Sequence, residues 1–347
     1  MKTKKTYLIG EIGQNHNGSV DIAKLIIDYI AKPVEDNLFK TTLKKMDAVK
    51  LTKRDLKHEL SSTQMSQVYD NINSFGRTYG EHRQHLELND EQHYEIYKYA
   101  KNKDLEFVET LCAIDCLSIL KYFEPDKLKV ASRDLTNLPL IQALAETKIP
   151  IILSTGMSGK IELNNAIEII TKYHSDISIL HCVSQYPTEY KNVNLNTIKY
   201  LIKEFPKFKI GYSDHTIGIA TPIAAVTMGA EIIEKHITID RRMKGTDHAG
   251  SLGIDGIIKM VRDIRNLEES FGVEDIFISD SVNSSKIKLE RSIASKKAMK
   301  IGHKISIDDI HLLSPGDGIK WIDKNLIINK RLKKDIGKNE IIYPDYL

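Results

Sequence analysis

Along most of the chain, short runs of adjoining apolar residues alternate with longer stretches in which apolar residues return every three or four positions. The runs predict β-strands at 7–12, 48–51, 106–110, 127–131, 149–153, 177–182, 209–212 and 231–237. The stretches between them, such as 22–30, 90–101, 138–147, 163–173 and 195–205, predict amphipathic helices. Strands that are apolar almost throughout belong in a parallel sheet covered on its faces, because alternation survives only where one face meets water. Eight strand–helix units in succession fit a closed (β/α)8 barrel, an α/β fold, better than an open doubly wound sheet.

Two regions depart from the repeat. Residues 53–88 form a long polar connection after the second strand, with Asn73 and the segment Ser74-Phe-Gly-Arg-Thr-Tyr-Gly-Glu-His-Arg83. Connections of that length are usually functional or mobile, the alternative being a solvated excursion. After Phe271 the pattern ends. The reading is a barrel over 1–272, a serine-bearing linker over 273–290, and a compact β-rich domain over 291–347 punctuated by Gly302, Pro315-Gly316, Gly318 and Gly337.

Charge narrows the functions available. Fifty basic and 47 acidic residues leave a net charge of +3, and the lysines are dispersed, so nothing points to nucleic acid. No apolar run reaches the roughly 18 residues of a membrane span. Met1-Lys-Thr-Lys-Lys resembles the start of a signal peptide, but the apolar stretch after it is too short. Three cysteines, Cys112, Cys116 and Cys182, suit a reducing, cytoplasmic setting; they read as structural thiols, with metal binding at Cys112 and Cys116 as the alternative.

Barrel enzymes place their chemistry where strands end. Here every predicted strand ends in polar side chains: Glu11, Lys50, Thr110, Lys129 with Ser132, Ser154, Ser184 to Tyr186, Ser213 with His215, and Glu234 with His236. Glu234 and His236 lie two apart and share one face, while Lys235 takes the other. If that face is the lumen, His236 meets His215 from the neighbouring strand, a pair suited to Mn²⁺, Mg²⁺ or Zn²⁺. Taken singly, either histidine reads more readily as a satisfied core residue than as a ligand, and only their shared geometry brings the two readings level. Lys50 and Lys129 lie inside apolar strands, where a buried ammonium needs an anion. They predict a polyanion pocket with Thr110, Ser132 and Ser154, unless they point outward between helices.

The strings Glu11-Ile-Gly-Gln-Asn-His-Asn-Gly18, Asp47-Ala-Val-Lys50, Ile152-Leu-Ser-Thr-Gly-Met157, Leu180-His-Cys182 with Tyr186-Pro-Thr188, Ser213-Asp-His-Thr216 and Glu234-Lys-His-Ile-Thr238 resemble the sialic acid synthase family. The likeness runs in order through all eight strands. It continues into residues 301–318, which resemble that family's antifreeze-like (SAF) domain. The resemblance implies a TIM barrel with a SAF domain, working as a homodimer whose small domain covers the partner's active site. It also implies condensation of phosphoenolpyruvate with N-acetylmannosamine or a related N-acylamino-hexose, releasing phosphate, with Mn²⁺ or Mg²⁺ as cofactor. By the same resemblance His215 and His236 hold the metal. Lys50, Thr110, Lys129, Ser132, Ser154, Ser184 and Ser213 hold phosphoenolpyruvate. Glu11, Glu234, Lys50 and Lys129 serve catalysis, and Tyr186 and Asp247 face the sugar; Asn73 and Arg83, in the long second connection, are expected at the sugar on their position rather than on the resemblance.

Three positions depart from the family pattern. Ser314 stands where an arginine commonly precedes Pro-Gly, Ser184 where asparagine is common, and Asp134 where glutamate is usual. A hydroxyl cannot offer a guanidinium's fork of donors. Arg77 or Arg83 could therefore read the sugar instead. Alternatives to a sialic acid synthase are a synthase of legionaminic, pseudaminic or another 3-deoxy-ulosonic acid, and a metal-dependent sugar isomerase, which would not need the paired lysines. A non-catalytic binding protein is a further alternative, disfavoured by the site residues being present together.

Overall fold

A computed structural model of the chain describes residues 5–36, 40–43 and 45–347. Eight parallel strands close into a barrel: β1 (Tyr7–Gly13), β2 (Ala48–Lys53), β3 (Glu106–Leu111), β4 (Lys127–Val130), β5 (Ile151–Ser154), β6 (Ile177–Cys182), β7 (Lys209–Asp214) and β8 (Ile232–His236). Each pairs with the next in sequence, and β8 pairs back to β1. The expected strand at 149–153 begins instead at Ile151 and takes in Ser154. Pro150 has no N–H to give a ladder and contributes only its carbonyl, which accepts from Leu128 N at 2.9 Å.

The helices cover the outside of this cylinder. They are α1 (Val20–Ile30), α5 (Asp90–Lys101), α6 (Leu138–Glu146), α7 (Lys160–Thr171), α8 (Asn196–Glu204), α9 (Ala220–Thr227) and α10 (Ile254–Ser270), while α2 (Leu56–Glu59), α3 (Ser62–Ser66) and α4 (Tyr79–Leu86) lie in the connection after β2. Their apolar stripes meet the outward faces of the strands in one continuous core that includes Ile26, Leu51, Phe107, Leu144 and Met260. The long connection after β2 contains α2, α3 and α4 rather than bare loop. Each starts at a polar cap: Asp55 accepts from Lys57 N at 3.0 Å, Ser61 from Gln64 N at 3.2 Å, and Thr78 from Glu81 N at 3.1 Å. Glu81 returns the last bond by accepting from Thr78 N at 3.2 Å, a reciprocal box that fixes the start of α4.

Arg265 on α10 ties the foot of the barrel together. It is buried, gives Nη1 to Thr6 O at 2.8 Å and to Glu268 at 2.9 Å, and gives Nη2 to Asp47 at 2.8 Å. Asp47 in turn accepts from Leu8 N at 2.9 Å, so one guanidinium links α10 to the starts of β1 and β2.

The chain divides into two compact units, 1–272 and 273–347. The second contains α11 (Asn283–Leu289) and an antiparallel pair, β9 (Ser292–Ser295) and β10 (Ile310–Leu313). Its own core holds Ile293, Met299, Ile305, Ile310, Ile327, Leu332, Ile336 and Ile342. The segment 273–290, expected as linker, thus carries a helix and clusters with this unit. Ser314 lies at the end of β10 and donates to Leu289 O at 2.9 Å. Among the described residues no helix is long and apolar enough to cross a membrane.

Candidate active site

Side-chain alternation along parallel strands builds the site. Ile9, Ala48, Val108, Ile152, Leu180 and Ile232 form a cluster of their own in the lumen, apart from the outer core. Two residues nearer the carboxyl ends of the same strands, the same face carries Glu11, Lys50, Thr110, Ser154, Cys182 and Glu234. Strand register levels them: Glu11 pairs with Lys50 on one side and His236 on the other, Thr110 with Lys129, and Ser213 with both Cys182 and Glu234. An apolar plug therefore floors a polar layer.

That layer is a network of charged side chains almost wholly buried. Lys50 and Lys129 are 4% and 3% exposed, and Glu11 and Glu234 are 4% and 5%. Lys50 Nζ lies 2.9 Å from Glu11, 3.7 Å from Glu234 and 3.2 Å from the Thr110 hydroxyl. Lys129 Nζ reaches both oxygens of Glu234 at 3.0 and 3.1 Å, and Ser213 donates to the same carboxylate at 2.9 Å. The lysines face inward rather than out between the helices, and Glu11 and Glu234 lie against them.

Identical carboxyls are driven apart by these surroundings. Burial, with Glu234 adding to it, pushes the Glu11 carboxyl up to about 7 against the pull of Lys50. Burial also works to raise Glu234, but Lys129 and Lys50 together overcome it and hold its carboxyl well below the ordinary range. Burial lowers Lys129 in spite of Glu234. On Lys50, burial is outweighed by Glu11 and Glu234 together, which raise it. One carboxyl suited to carrying a proton near neutrality stands beside one that stays ionised.

Above this layer the hydroxyls and rings gather. Ser132 accepts from Gly156 N at 3.0 Å, and the buried Ser154 hydroxyl has no protein partner. A Cβ at Gly156 would stand 2.5 Å from Ser184 Oγ and 2.8 Å from Ser132 Oγ, so the glycine keeps space open over these hydroxyls. The rings of His215 and His236 are 5.5 Å apart between centroids, with the Tyr186 ring 4.0 Å from that of His215. Together these groups line a cavity of about 430 Å³, ample for two small substrates.

The histidine pair fits a divalent cation. His215 Nδ1 hydrogen-bonds Val183 O at 2.8 Å, which fixes the proton there and leaves Nε2 a free lone pair. Burial lowers His236 and keeps it neutral, and its buried Nδ1 has no partner. Among the described residues no cluster of three or more His, Cys, Asp or Glu side chains forms a metal cage, so substrate or water oxygens would complete the shell.

The cavity brings together Glu11, Lys50, Arg83, Thr110, Lys129, Ser132, Ser154, Ser184, Tyr186, Ser213, His215, Glu234, His236 and Asp247. Asn73, expected at the sugar, does not line it. Its side chain instead accepts from Gly245 N at 3.4 Å, supporting the loop that carries Asp247. Arg77 is exposed and does not line the cavity. His181 and Lys235 point outward, His181 bonding Val193 O at 2.7 Å and Lys235 pairing with Asp214 at 2.6 Å. Cys112 and Cys116 are buried free thiols, while Cys182 lines the cavity with Sγ 3.8 Å from His215 Nδ1. Sequence reasoning missed Arg54 and Arg133, which also line it. The signal was available for Arg54, since 50, 52 and 54 continue one face of β2.

The NeuB family model matches residues 40–275, and the SAF domain model matches residues 290–347. The N,N'-diacetyllegionaminic acid synthase of Legionella pneumophila is 32% identical over 338 residues, 95% of this chain and 91% of that protein. The human N-acetylneuraminate-9-phosphate synthase is 31% identical over 302 residues, 87% of this chain and 81% of that protein. Among solved structures, N-acetylneuraminic acid (sialic acid) synthetase from Leptospira borgpetersenii serovar Hardjo-bovis, in complex with citrate, is 28% identical. It aligns with a TM-score of 0.67 over 81% of this chain and 90% of that one.

Proposed function

We infer that this chain, which belongs to the NeuB family, condenses phosphoenolpyruvate with an N-acylamino-hexose to give a nonulosonic acid and inorganic phosphate. The chain is a transferase of the N-acetylneuraminate synthase type, in keeping with relatives named for sialic, legionaminic and pseudaminic acid synthesis. The observation that carries the reading is the layer in which Lys50 and Lys129 converge from β2 and β4 beneath the His215–His236 pair. A trianionic enol phosphate needs the lysines, and an aldehyde beside it would need the histidine pair, which would hold the cation that polarises it.

The residues divide the work as follows. Lys50 and Lys129 hold the carboxylate and phosphate of phosphoenolpyruvate, with Thr110, Ser132, Ser154, Ser184 and Ser213 donating to its oxygens. That grip turns enol C3 toward the aldehyde carbon, and positioning two substrates can lower a barrier by about 7–11 kcal/mol at best. His215 and His236 would hold Mn²⁺ or Mg²⁺, which when bound supplies Lewis-acid polarisation of the aldehyde oxygen. Glu234 stays ionised and can take a proton from water as it adds to C2. Glu11, protonated through much of the neutral range, can give one up as phosphate departs. Tyr186 and Asp247 border the space left for the sugar.

The assay is phosphate release from phosphoenolpyruvate across a panel of aldoses with Mn²⁺ or Mg²⁺, with detection of the 3-deoxy acid. Aldose turnover without phosphoenolpyruvate would instead make the chain an isomerase. The three free, buried thiols suit a cytoplasmic enzyme. A homodimer is part of the same reading, and sedimentation equilibrium tests it.

A further inference from the structure

The two strings that carry the histidines each hold a charged residue that the cavity does not use. Asp214 precedes His215 at the end of β7, Lys235 precedes His236 on β8, and neither lines the cavity. Strand alternation turns both to the outer face, where register sets them side by side. Lys235 Nζ lies 2.6 Å from Asp214 Oδ2, and both side chains are fully buried. Replacing such a pair by apolar residues of like volume is often neutral or stabilising, so stability alone gives little account of it.

The partners of the pair show what it fixes. The Asp214 carboxylate accepts from the Tyr212 hydroxyl at 2.8 Å, from Thr216 N at 2.9 Å, and from the Thr216 and Thr221 hydroxyls at 3.2 Å each. The Lys235 ammonium also donates to Thr216 O. The residues on both sides of His215 are thus tied to one ammonium, and that ammonium belongs to the residue before His236. On its other side His215 accepts from Thr188 N through its carbonyl at 2.9 Å, and its ring bonds Val183 O at 2.8 Å. The end of β7 cannot turn about His215 without breaking a buried bond to Asp214 or Lys235. The 5.5 Å between the two ring centroids is therefore set from behind the barrel wall as well as from within it. Among the described residues no group of three or more His, Cys, Asp or Glu side chains could cage a cation, so the protein's grip on one rests on how these two rings are spaced.

We propose that Lys235 and Asp214 are positioning residues, whose ion pair holds His215 at the separation from His236 that lets both rings take one divalent cation. Neither residue touches substrate or cation. The inference rests on the reading of the histidines as cation ligands.

The test is Mn²⁺ binding to the chelator-stripped full chain without substrates, followed by electron paramagnetic resonance of the free ion. Lys235→Met strands a buried carboxylate, whereas Lys235→Met/Asp214→Asn leaves no charge there and keeps an amide for Tyr212 and Thr221 to bond. The double variant therefore decides the matter if the single one does not fold. Both should bind Mn²⁺ roughly 10- to 100-fold more weakly than the wild type. Affinity for phosphoenolpyruvate, measured by calorimetry without metal, should stay at the wild-type value, because Lys50 and Lys129 stand on other strands. Wild-type Mn²⁺ affinity in the folded double variant overturns the proposal. A parallel loss of phosphoenolpyruvate affinity also overturns it, since it marks a general loosening of the strand ends. Equal Mn²⁺ binding by wild type and His236→Ala would sink the histidine reading itself, and the proposal with it.

Discussion

Removing Lys129 should destabilise the barrel more than removing both Lys129 and Glu234. In the native state Glu234 is 5% exposed and is held by Lys129 at 3.0 and 3.1 Å, Lys50 at 3.7 Å and Ser213 at 2.9 Å. Lys129→Met leaves a buried carboxylate whose nearest remaining cation also serves Glu11 at 2.9 Å. Breaking a buried pair on one side costs about 3–5 kcal/mol. Lys50 and Ser213 stay in place, so the lower end, about 3 kcal/mol, is expected. Lys129→Met/Glu234→Met removes both charges and should recover about 2 kcal/mol of that loss. Neither variant should turn over, because both lack groups that hold the substrate or its proton. The assay is urea unfolding at pH 7 followed by far-UV circular dichroism, since the single tryptophan, Trp321, lies in the second unit and does not report on the barrel.

The pH dependence follows from the sign of the Glu234 shift. A carboxyl lowered in the folded state contributes stability that is present above its unfolded pKa of about 4.5 and is lost as pH falls toward its folded value. The gap between wild type and Lys129→Met should therefore be full at pH 7 and narrow below pH 4.5. Additive effects of the two substitutions, or a gap that widens on acidification, would refute the reasoning.

Three other outcomes follow from the geometry. Arg265→Leu takes from Glu268 and Asp47 the cation they share, leaving each only its backbone donor among the bonds described, and should cost about 3 kcal/mol, with kcat per folded molecule unchanged by active-site titration. Gly156→Ala forces a methyl against the Ser184 and Ser132 hydroxyls and should raise the KM for phosphoenolpyruvate roughly tenfold with little change in melting temperature. Thr78→Ala removes one half of the box that starts α4 and should cost about 1 kcal/mol. Because α4 carries Arg83, the acceptor's KM should rise with that change while the KM for phosphoenolpyruvate stays put.

The barrel was legible because each parallel strand is apolar on both faces and ends in a polar side chain, a pattern helices do not produce. Strand spacing also placed Glu234 and His236 on one face, and the register brings that face into the lumen opposite Glu11 and Lys50. What escaped lay where periodicity carries no signal. Helices α2 to α4 are short and polar, and are announced only by their caps at Asp55, Ser61 and Thr78. Asn73 looked like a sugar contact because it opens a conspicuous loop, yet its amide oxygen is spent on Gly245 N. Arg133 sits in a turn where strand alternation has ended, so no spacing rule could aim it at the cavity. Cys182 read as structural because a lone thiol is, until a histidine from the next strand arrives beside it.

The central claim is that two lysines hold an enol phosphate against an aldehyde placed at the His215–His236 pair, so that water adds at C2 and phosphate leaves from carbon. Phosphoenolpyruvate labelled with ¹⁸O at its bridging oxygen tests this directly, supplied with an N-acylamino-hexose and Mn²⁺. The account predicts one labelled phosphate for each 3-deoxy acid formed, with none of the bridging label left in the organic product. Label retained in the acid, or phosphate released with no acid formed, would contradict it.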